Sequence, residues 1–303
     1  MRVLVTGGTG WIGSAVVPEL IGAGHEVVGL ARSGASAAAL AAAGAEVVRG
    51  SLDDLDGLRS ATEASDGVVH LAFKHEEAFS GDFPAATAAD RRVIGAVGAA
   101  LEGSGRPLAI ATGLAGHAPG ALVTEDDEPE TRSVLGERML AEQMVRSLAS
   151  SGVRSSSVRL APTVHGDGDH GFVAALVGVA REKGVSGYIG EGQNHWPAVH
   201  RLDAARLFRL ALEKAPAGSV LHGVAEEGVP VREIAEAIGR QLDVPTRSIA
   251  PEEAHEHFGW LAGFVALDVR ASSALTRERL GWQPTHPGLI EGIERGHYSR
   301  AAA

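Results

Sequence analysis

Two periodicities alternate along this chain. Val3-Leu4-Val5 is an unbroken apolar run within residues 2–6, the pattern of a strand buried on both faces. Ile12, Val16, Val17 and Leu20 then recur at helical spacing over residues 11–23, and Gly24 supplies the stop. The exchange repeats. Strands are predicted at 25–31, 45–48, 67–72, 107–112 and 153–160, with helices at 35–43, 54–64, 84–103 and 132–150 between them. Such alternation implies right-handed crossovers and a doubly wound parallel sheet covered by helices on both faces, an α/β fold. Further on, helices are predicted at 172–183, 203–214 and 231–241, strands at 196–200 and 220–224, and looser helical stretches near 251–265 and 271–280. The acidic stretch Glu125–Glu130 reads as a solvated loop.

The first strand breaks into Thr6-Gly7-Gly8-Thr9-Gly10-Trp11-Ile12-Gly13. Gly8, Gly10 and Gly13 satisfy G-x-G-x-x-G, and Gly7, Gly10 and Gly13 satisfy G-x-x-G-x-x-G. Between a strand and a helix, glycines at this spacing allow a tight turn and a close approach to a pyrophosphate, which the helix N-terminus then faces. A dinucleotide is therefore expected. The end of the second strand selects the ribose. A carboxylate there would accept from a 2′-hydroxyl, whereas this chain has Arg32 and Ser33, which favours NADP(H) over NAD(H). The alternative is a surface arginine that touches nothing. Ser51 and Leu52, after the third strand, are placed to frame an adenine.

Composition narrows the class. Of 303 residues, 45% are hydrophobic but only 4% aromatic, so the core is built from small and aliphatic side chains. The formal net charge of −11, with no Lys/Arg cluster, argues against a nucleic-acid partner. Without cysteine there is no disulfide, thiolate nucleophile or cysteine metal site. No apolar run is long enough to cross a membrane, and the chain opens directly on its first strand, so a soluble cytoplasmic protein is expected.

Several further segments, in order and spacing, resemble the extended short-chain dehydrogenase/reductase superfamily, in its NAD-dependent epimerase/dehydratase-like branch. They are the glycine loop, His70-Leu71-Ala72, Ala111-Thr112-Gly113, Val158 to Gly166, Val199 to Ala204, and Leu280-Gly281-Trp282-Gln283-Pro284. The resemblance implies a Rossmann-type domain over 1–160, with 195–225 returning to it. It also implies a smaller substrate-binding lobe from 161–194 and 226–303, with a cleft between the two. It places Gly7, Gly10, Trp11, Ile12 and Gly13 on the pyrophosphate, Leu71, Ala72 and Phe73 along the cofactor, and Pro162 and Thr163 at its nicotinamide end. Thr112 falls at or beside the family's catalytic Ser/Thr.

The family's Tyr-x-x-x-Lys pair does not align. Val134 stands at the tyrosine position and Arg138 at the lysine position, and neither Tyr188 nor Tyr298 has a lysine four residues later. Candidates to replace the pair are Lys74, past the fourth strand, Arg138 as a fixed cation, and His165 as a proton donor beside the nicotinamide turn. His117 is a weaker candidate. Each has a plainer reading: a solvated lysine, an i,i+4 pair of Arg138 with Glu142, a polar wall at His165, and a β-branched strand end at Thr112. His165-Gly166-Asp167-Gly168-Asp169-His170 reads as a flexible loop, and no metal is expected. Asn194 and Trp196 are candidates to close over a substrate. His200 and Asp203 match a structural segment in which the acid caps the next helix. The expected activity is NADP(H)-dependent reduction of a carbonyl or related C=X group on a small, partly apolar molecule. The alternatives are a non-catalytic NADP(H) sensor and a nucleotide-sugar epimerase or dehydratase. The resemblance also implies a homodimer through the helices matching 86–103 and 132–150.

Overall fold

The computed structural model describes residues 1–114, 120–129 and 138–298. The first half runs β1 (Arg2–Thr6), α1 (Gly13–Gly22), β2 (Glu26–Ala31), α2 (Gly34–Ala42), β3 (Glu46–Arg49), α3 (Leu55–Glu63), β4 (Gly67–His70), α4 (His75–Phe79), α5 (Phe83–Leu101), β5 (Pro107–Gly113), β6 (Leu122–Val123), α6 (Met139–Ser147) and β7 (Arg154–Leu160). The second half runs β8 (Thr163–His165), α7 (Phe172–Lys183), β9 (Ser186–Ile189), β10 (His195–His200), α8 (Arg201–Lys214), β11 (Ser219–Gly223), β12 (Glu226–Pro230), α9 (Val231–Leu242), β13 (Thr246–Ile249), α10 (Ala254–Phe258), α11 (Ala262–Val265), β14 (Arg270–Ala271), α12 (Ala274–Leu280) and α13 (Leu289–Glu294).

Seven parallel strands form the central sheet in the order β11-β7-β5-β4-β1-β2-β3. Period-two alternation sorts its side chains. Val3 and Val5 face α1 and α8, and Leu4 faces α3 and α5 from the opposite side. Side-chain caps set two helix starts: Ser33 Oγ accepts from Ser36 N, and an Asp54 carboxylate oxygen from Gly57 N. The strand order reverses at β1, which places a crevice outside the carboxyl ends of β1 and β4.

A second core gathers Val173, Leu176, Trp196, Ile234, Phe258 and Leu289 under α7, α9 and α13. Residues 195–225 divide between the two bodies. β10 pairs with β8 and β12 in a three-stranded sheet, α8 packs on α1, and β11 closes one edge of the central sheet. β9 pairs with β13, and β14 with β6.

Three expectations are corrected. Glu125 is not solvated: it is buried and accepts from both Thr276 N and Thr276 Oγ1 at 2.6 Å. Asp203 does not cap α8. His200 Nδ1 accepts from Leu202 N at that position, while the Asp203 carboxylate accepts from Thr285 N and His286 N. Arg138 does not pair with Glu142, because Glu142 is bound to Arg159 at 2.6 and 2.8 Å, both residues wholly buried.

That pair crosses from α6 to β7 beneath the sheet. A buried guanidinium left without its carboxylate costs far more than the pair itself contributes, about 3–5 kcal/mol. Glu142→Gln should therefore lower the unfolding free energy extracted from urea melts by about that amount, seen as a lower midpoint with the slope of the transition unchanged.

Candidate functional site

The glycine turn is held by backbone contact. Gly7 has φ +70°, and a Cβ on it would lie 2.7 Å from Ala72 N. A Cβ on Gly13 would lie 2.0 Å from Gly7 O. No side chain fits either place, so α1 starts directly against the turn, where Ser14 N and Ala15 N are bonded to Gly10 O and Ile12 O and no backbone partner among the described residues takes up the N–H groups of Trp11, Ile12 and Gly13. Trp11 ties the turn to the far side of the crevice: its Nε1 donates to Val164 O at 2.7 Å, and the Arg201 guanidinium lies 4.4 Å above its ring. Ile12 packs on the core behind.

Behind the turn runs a buried polar chain that the sequence motifs do not name. Ala72 N donates to Thr6 Oγ1 at 3.3 Å, Thr6 Oγ1 meets His70 Nδ1 at 2.6 Å, and His70 Nε2 meets Asp90 Oδ1 at 3.0 Å. A carboxylate only accepts, so His70 Nε2 carries the proton and Nδ1 accepts from the Thr6 hydroxyl. The chain locks the ends of β1 and β4 in register, Thr6 opposite His70, and anchors them to α5. One signal pointed to it: Asp90 is an acid on the apolar stripe of Ala86, Ala89, Val93 and Val97.

The other candidates are placed as follows. Arg32 is exposed at the end of β2, 3.5 Å from Glu76. Beside it Ser33 caps α2 and its carbonyl accepts from Arg49 Nη1 at 2.5 Å, an arginine the sequence reading passed over. Ser51 Oγ accepts from Asp53 N, and Leu52 packs on the core. Leu71, Ala72 and Phe73 form the half-buried rim after β4. Asp53, in the loop after β3, and Glu77, on α4, each hold Lys74 Nζ at 3.1 Å and raise its pKa above the ordinary value. Thr112 is buried and its Oγ1 lies 2.8 Å from Ser157 Oγ. Because Ser157 donates to Glu142, the Thr112 hydroxyl donates to Ser157. Pro162 and Thr163 end the crevice, with Thr163 Oγ1 donating to Pro197 O.

Arg138 lies at the N-terminal end of α6, its guanidinium carbon 3.9 Å above the centre of the Phe73 ring. Burial lowers its pKa from the ordinary value, and Asp90 partly counters this. Val134 and His117 lie outside the described residues.

His165 is 1% exposed, and neither ring nitrogen has a hydrogen-bond partner. Its ring meets that of His200 edge-on at 5.5 Å, and His200 stacks on His286 at 4.7 Å with the planes 9° apart. Burial, reinforced by these neighbours, lowers His165 to about 3 and His200 to about 4. One ligand atom from each of His200, Asp203 and His286 lies within 4.8 Å of the others. In-plane lone pairs of two parallel rings do not converge, however, and the carboxylate is engaged by the 285–286 backbone. Asn194 and Trp196 are structural: Asn194 Nδ2 donates to Val265 O and Leu267 O, and Trp196 is buried in the second core. Tyr298 donates to Asp169 at 2.6 Å, and burial beside that carboxylate pushes its hydroxyl far above the range of a proton donor near neutrality.

Comparison with known proteins gives one family. The family model described as "NAD dependent epimerase/dehydratase family" matches residues 3–222. An uncharacterized protein of Schizosaccharomyces pombe is 50% identical over 300 residues, covering 98% of this chain and 100% of that protein. One of Saccharomyces cerevisiae is 44% identical, covering 99% of each. Three relatives at 28% identity carry functional names. They are a 2-alkyl-3-oxoalkanoate reductase of Stenotrophomonas maltophilia (81% of this chain, 77% of that one), a 3-diazoavenalumate denitrifying reductase of a Streptomyces species (97% and 100%), and a decarboxylating sterol-4-alpha-carboxylate 3-dehydrogenase of Dictyostelium discoideum (76% and 73%). Among solved structures, the dTDP-glucose 4,6-dehydratase of Streptomyces venezuelae superimposes with a TM-score of 0.77 at 21% identity, over 98% of this chain and 96% of that one.

The histidine cluster sets a pH dependence. Released by unfolding, His165 and His200 bind protons near the ordinary value of 6.5; folded, they do so only near 3 and 4. The unfolded state therefore holds more protons below pH 6.5, and stability declines as pH falls from there toward 4 and 3. Thermal melts should show a plateau above that value and a decline already in place at pH 5, before most carboxylates titrate. His165→Leu, which removes one of the two groups, should flatten the decline between pH 6.5 and 5.

Proposed function

Because the chain belongs to the NAD-dependent epimerase/dehydratase family, we propose that it is an NADP(H)-dependent oxidoreductase that reduces a carbonyl or related C=X group on a small, partly apolar molecule. The close packing at Gly7 and Gly13 carries the reading, since a Cβ at either would strike backbone of the turn or of Ala72 and push the turn away from the start of α1, where a pyrophosphate would bind. When bound, the dinucleotide supplies a hydride to the acceptor carbon; for a carbonyl, the π pair moves to oxygen, which takes a proton from solvent to give an alcohol and the oxidised cofactor. The chain's own residues hold and orient. The N–H groups of the glycine turn and of α1 bind the pyrophosphate. Ala72, fixed by Thr6, holds the rim past β4, and Arg138 sets a permanent positive charge over Phe73.

Thr112, Lys74 and His165 are given no step, because their polar atoms are bonded elsewhere or buried away from the crevice. The preference for a phosphorylated ribose rests on the exposed Arg32 beside Ser33 and Arg49, with no acid at the end of β2. Two relatives at 28% identity are named as reductases, which supports net reduction, while a UDP-glucose 4-epimerase of Streptomyces lividans at 26% identity is the relative that favours the epimerase alternative.

Steady NADPH oxidation with members of an aldehyde, ketone and imine panel is the expected result. Tight NADPH binding with no turnover across that panel would overturn the reading in favour of a sensor. Conversion of a nucleotide-sugar without net cofactor consumption would overturn it in favour of an epimerase. Arg32→Ala should weaken NADPH binding about tenfold or more and leave NADH binding within about twofold, read by fluorescence titration. Gly13→Ala should abolish binding of both.

A further inference from the structure

We propose that Arg138 is the anchor for a carboxylate on the substrate, so that the molecule reduced is an oxo acid; this rests on the reductase reading above. The first ground is the state of the guanidinium. The residue is half-buried, and its guanidinium makes no hydrogen bond or ion pair with the described residues although it carries five donors. A cation in that condition is costly unless an anion joins it.

The charged groups around it are accounted for from each described element. Glu142, on its own helix, is taken by Arg159. Asp90, on α5, acts on Arg138 from beyond ion-pair distance while its Oδ1 is bonded to His70. His75, on α4, is itself held neutral by burial and by the Arg138 charge. None of these supplies a partner in contact.

The second ground is orientation. The Phe73 ring centre lies 3.9 Å from the guanidinium carbon, so the ring covers one side of the group while its N–H donors have no partner among the described residues. Two parallel N–H bonds from a guanidinium match a carboxylate, and a flexible ammonium in the same place would not fix that plane.

The third ground is position. Phe73 directly follows Ala72, whose N–H is tied through Thr6 to the glycine turn, so the anchored carboxylate sits at the cofactor side of the crevice. A neutral ketone or ester leaves the charge uncompensated, and the site therefore discriminates by charge before it discriminates by shape.

The test uses the full chain with 3-oxohexanoate and its methyl ester, and dead-end binding of 3-hydroxyhexanoate to the NADPH-saturated protein by calorimetry. Wild type should favour the acid over the ester in kcat/KM by about tenfold to a hundredfold. Arg138→Gln should bring that ratio to about one by raising KM for the acid far more than for the ester, and Arg138→Lys should restore part of it. Equal loss for acid and ester, or a weakened NADPH affinity in Arg138→Gln, would overturn the anchor and leave the reductase reading standing. Arg138-dependent binding of 3-hydroxyhexanoate without turnover of any substrate would support the anchor and overturn the reductase reading. Thermal melts of both variants separate loss of the anchor from loss of the fold, and Arg138→Lys, which keeps the charge, carries the test if Arg138→Gln does not fold.

Discussion

A single carbon added to Gly13 would stand 2.0 Å from the carbonyl oxygen of Gly7, and the surroundings of the site follow from that contact. It brings the start of α1 down onto the turn, which leaves the N–H groups of Trp11, Ile12 and Gly13 without a backbone partner among the described residues. It also forces the turn against the end of β4, where Gly7 meets the Ala72 backbone. Two strand ends this close must be kept from sliding. The Thr6–His70–Asp90 chain does so, with one rigid ring spanning from strand to helix and each polar atom in it matched by direction as well as distance. The apolar core around it resists displacement but is indifferent to which way a hydroxyl points.

The same division of labour recurs where the sheet meets the rest of the chain. Arg159 and Glu142 join β7 to α6, Glu125 joins the β6 segment to α12, and Asp203 joins α8 to the backbone at 285–286. Each is a buried or nearly buried charge bonded to another segment of the chain, though Glu125 is engaged through Oε1 alone and its Oε2 is left without a partner among the described residues. Such contacts contribute little net stability against a well-packed apolar substitute, but they penalise every misregistered arrangement. Small side chains dominate this core, and small side chains pack acceptably in more than one way. Directional polar contacts supply the selectivity that alanine and valine do not.

That division also explains what was legible in the sequence. The strands from β1 to β5, and the helices among them, follow from apolar periodicity because each buries a continuous local pattern; α7 is matched residue for residue. The glycine turn was legible because its steric demand is met within Gly7–Gly13. The short strands β9, β12 and β13 were not. Thr-Arg-Ser-Ile has no apolar run, and it is a strand only because Ser186–Ile189 lies beside it. Glu125 looked solvated because its partner Thr276 is 151 positions away, and Asp203 looked like a cap because the competing N–H groups come from 285 and 286. A charged residue carries no local sign of whether a distant segment will bury it. Arg138 was legible as a position and not as an environment: its spacing was readable, but the Phe73 ring beneath it belongs to another segment.

Arginine in that position changes the kind of chemistry open to the site. A lysine there can lose a proton or lower the pKa of a neighbour, and its charge is negotiable. A guanidinium is not, since even when burial pushes its pKa below the ordinary value it keeps its proton near neutrality. The pocket around Arg138 therefore has a fixed positive sign, moderated only by Asp90 at a distance. An anion docked against it would meet a charge that pH does not remove and a planar set of donors, whereas a lysine would offer a point charge that its surroundings could neutralise.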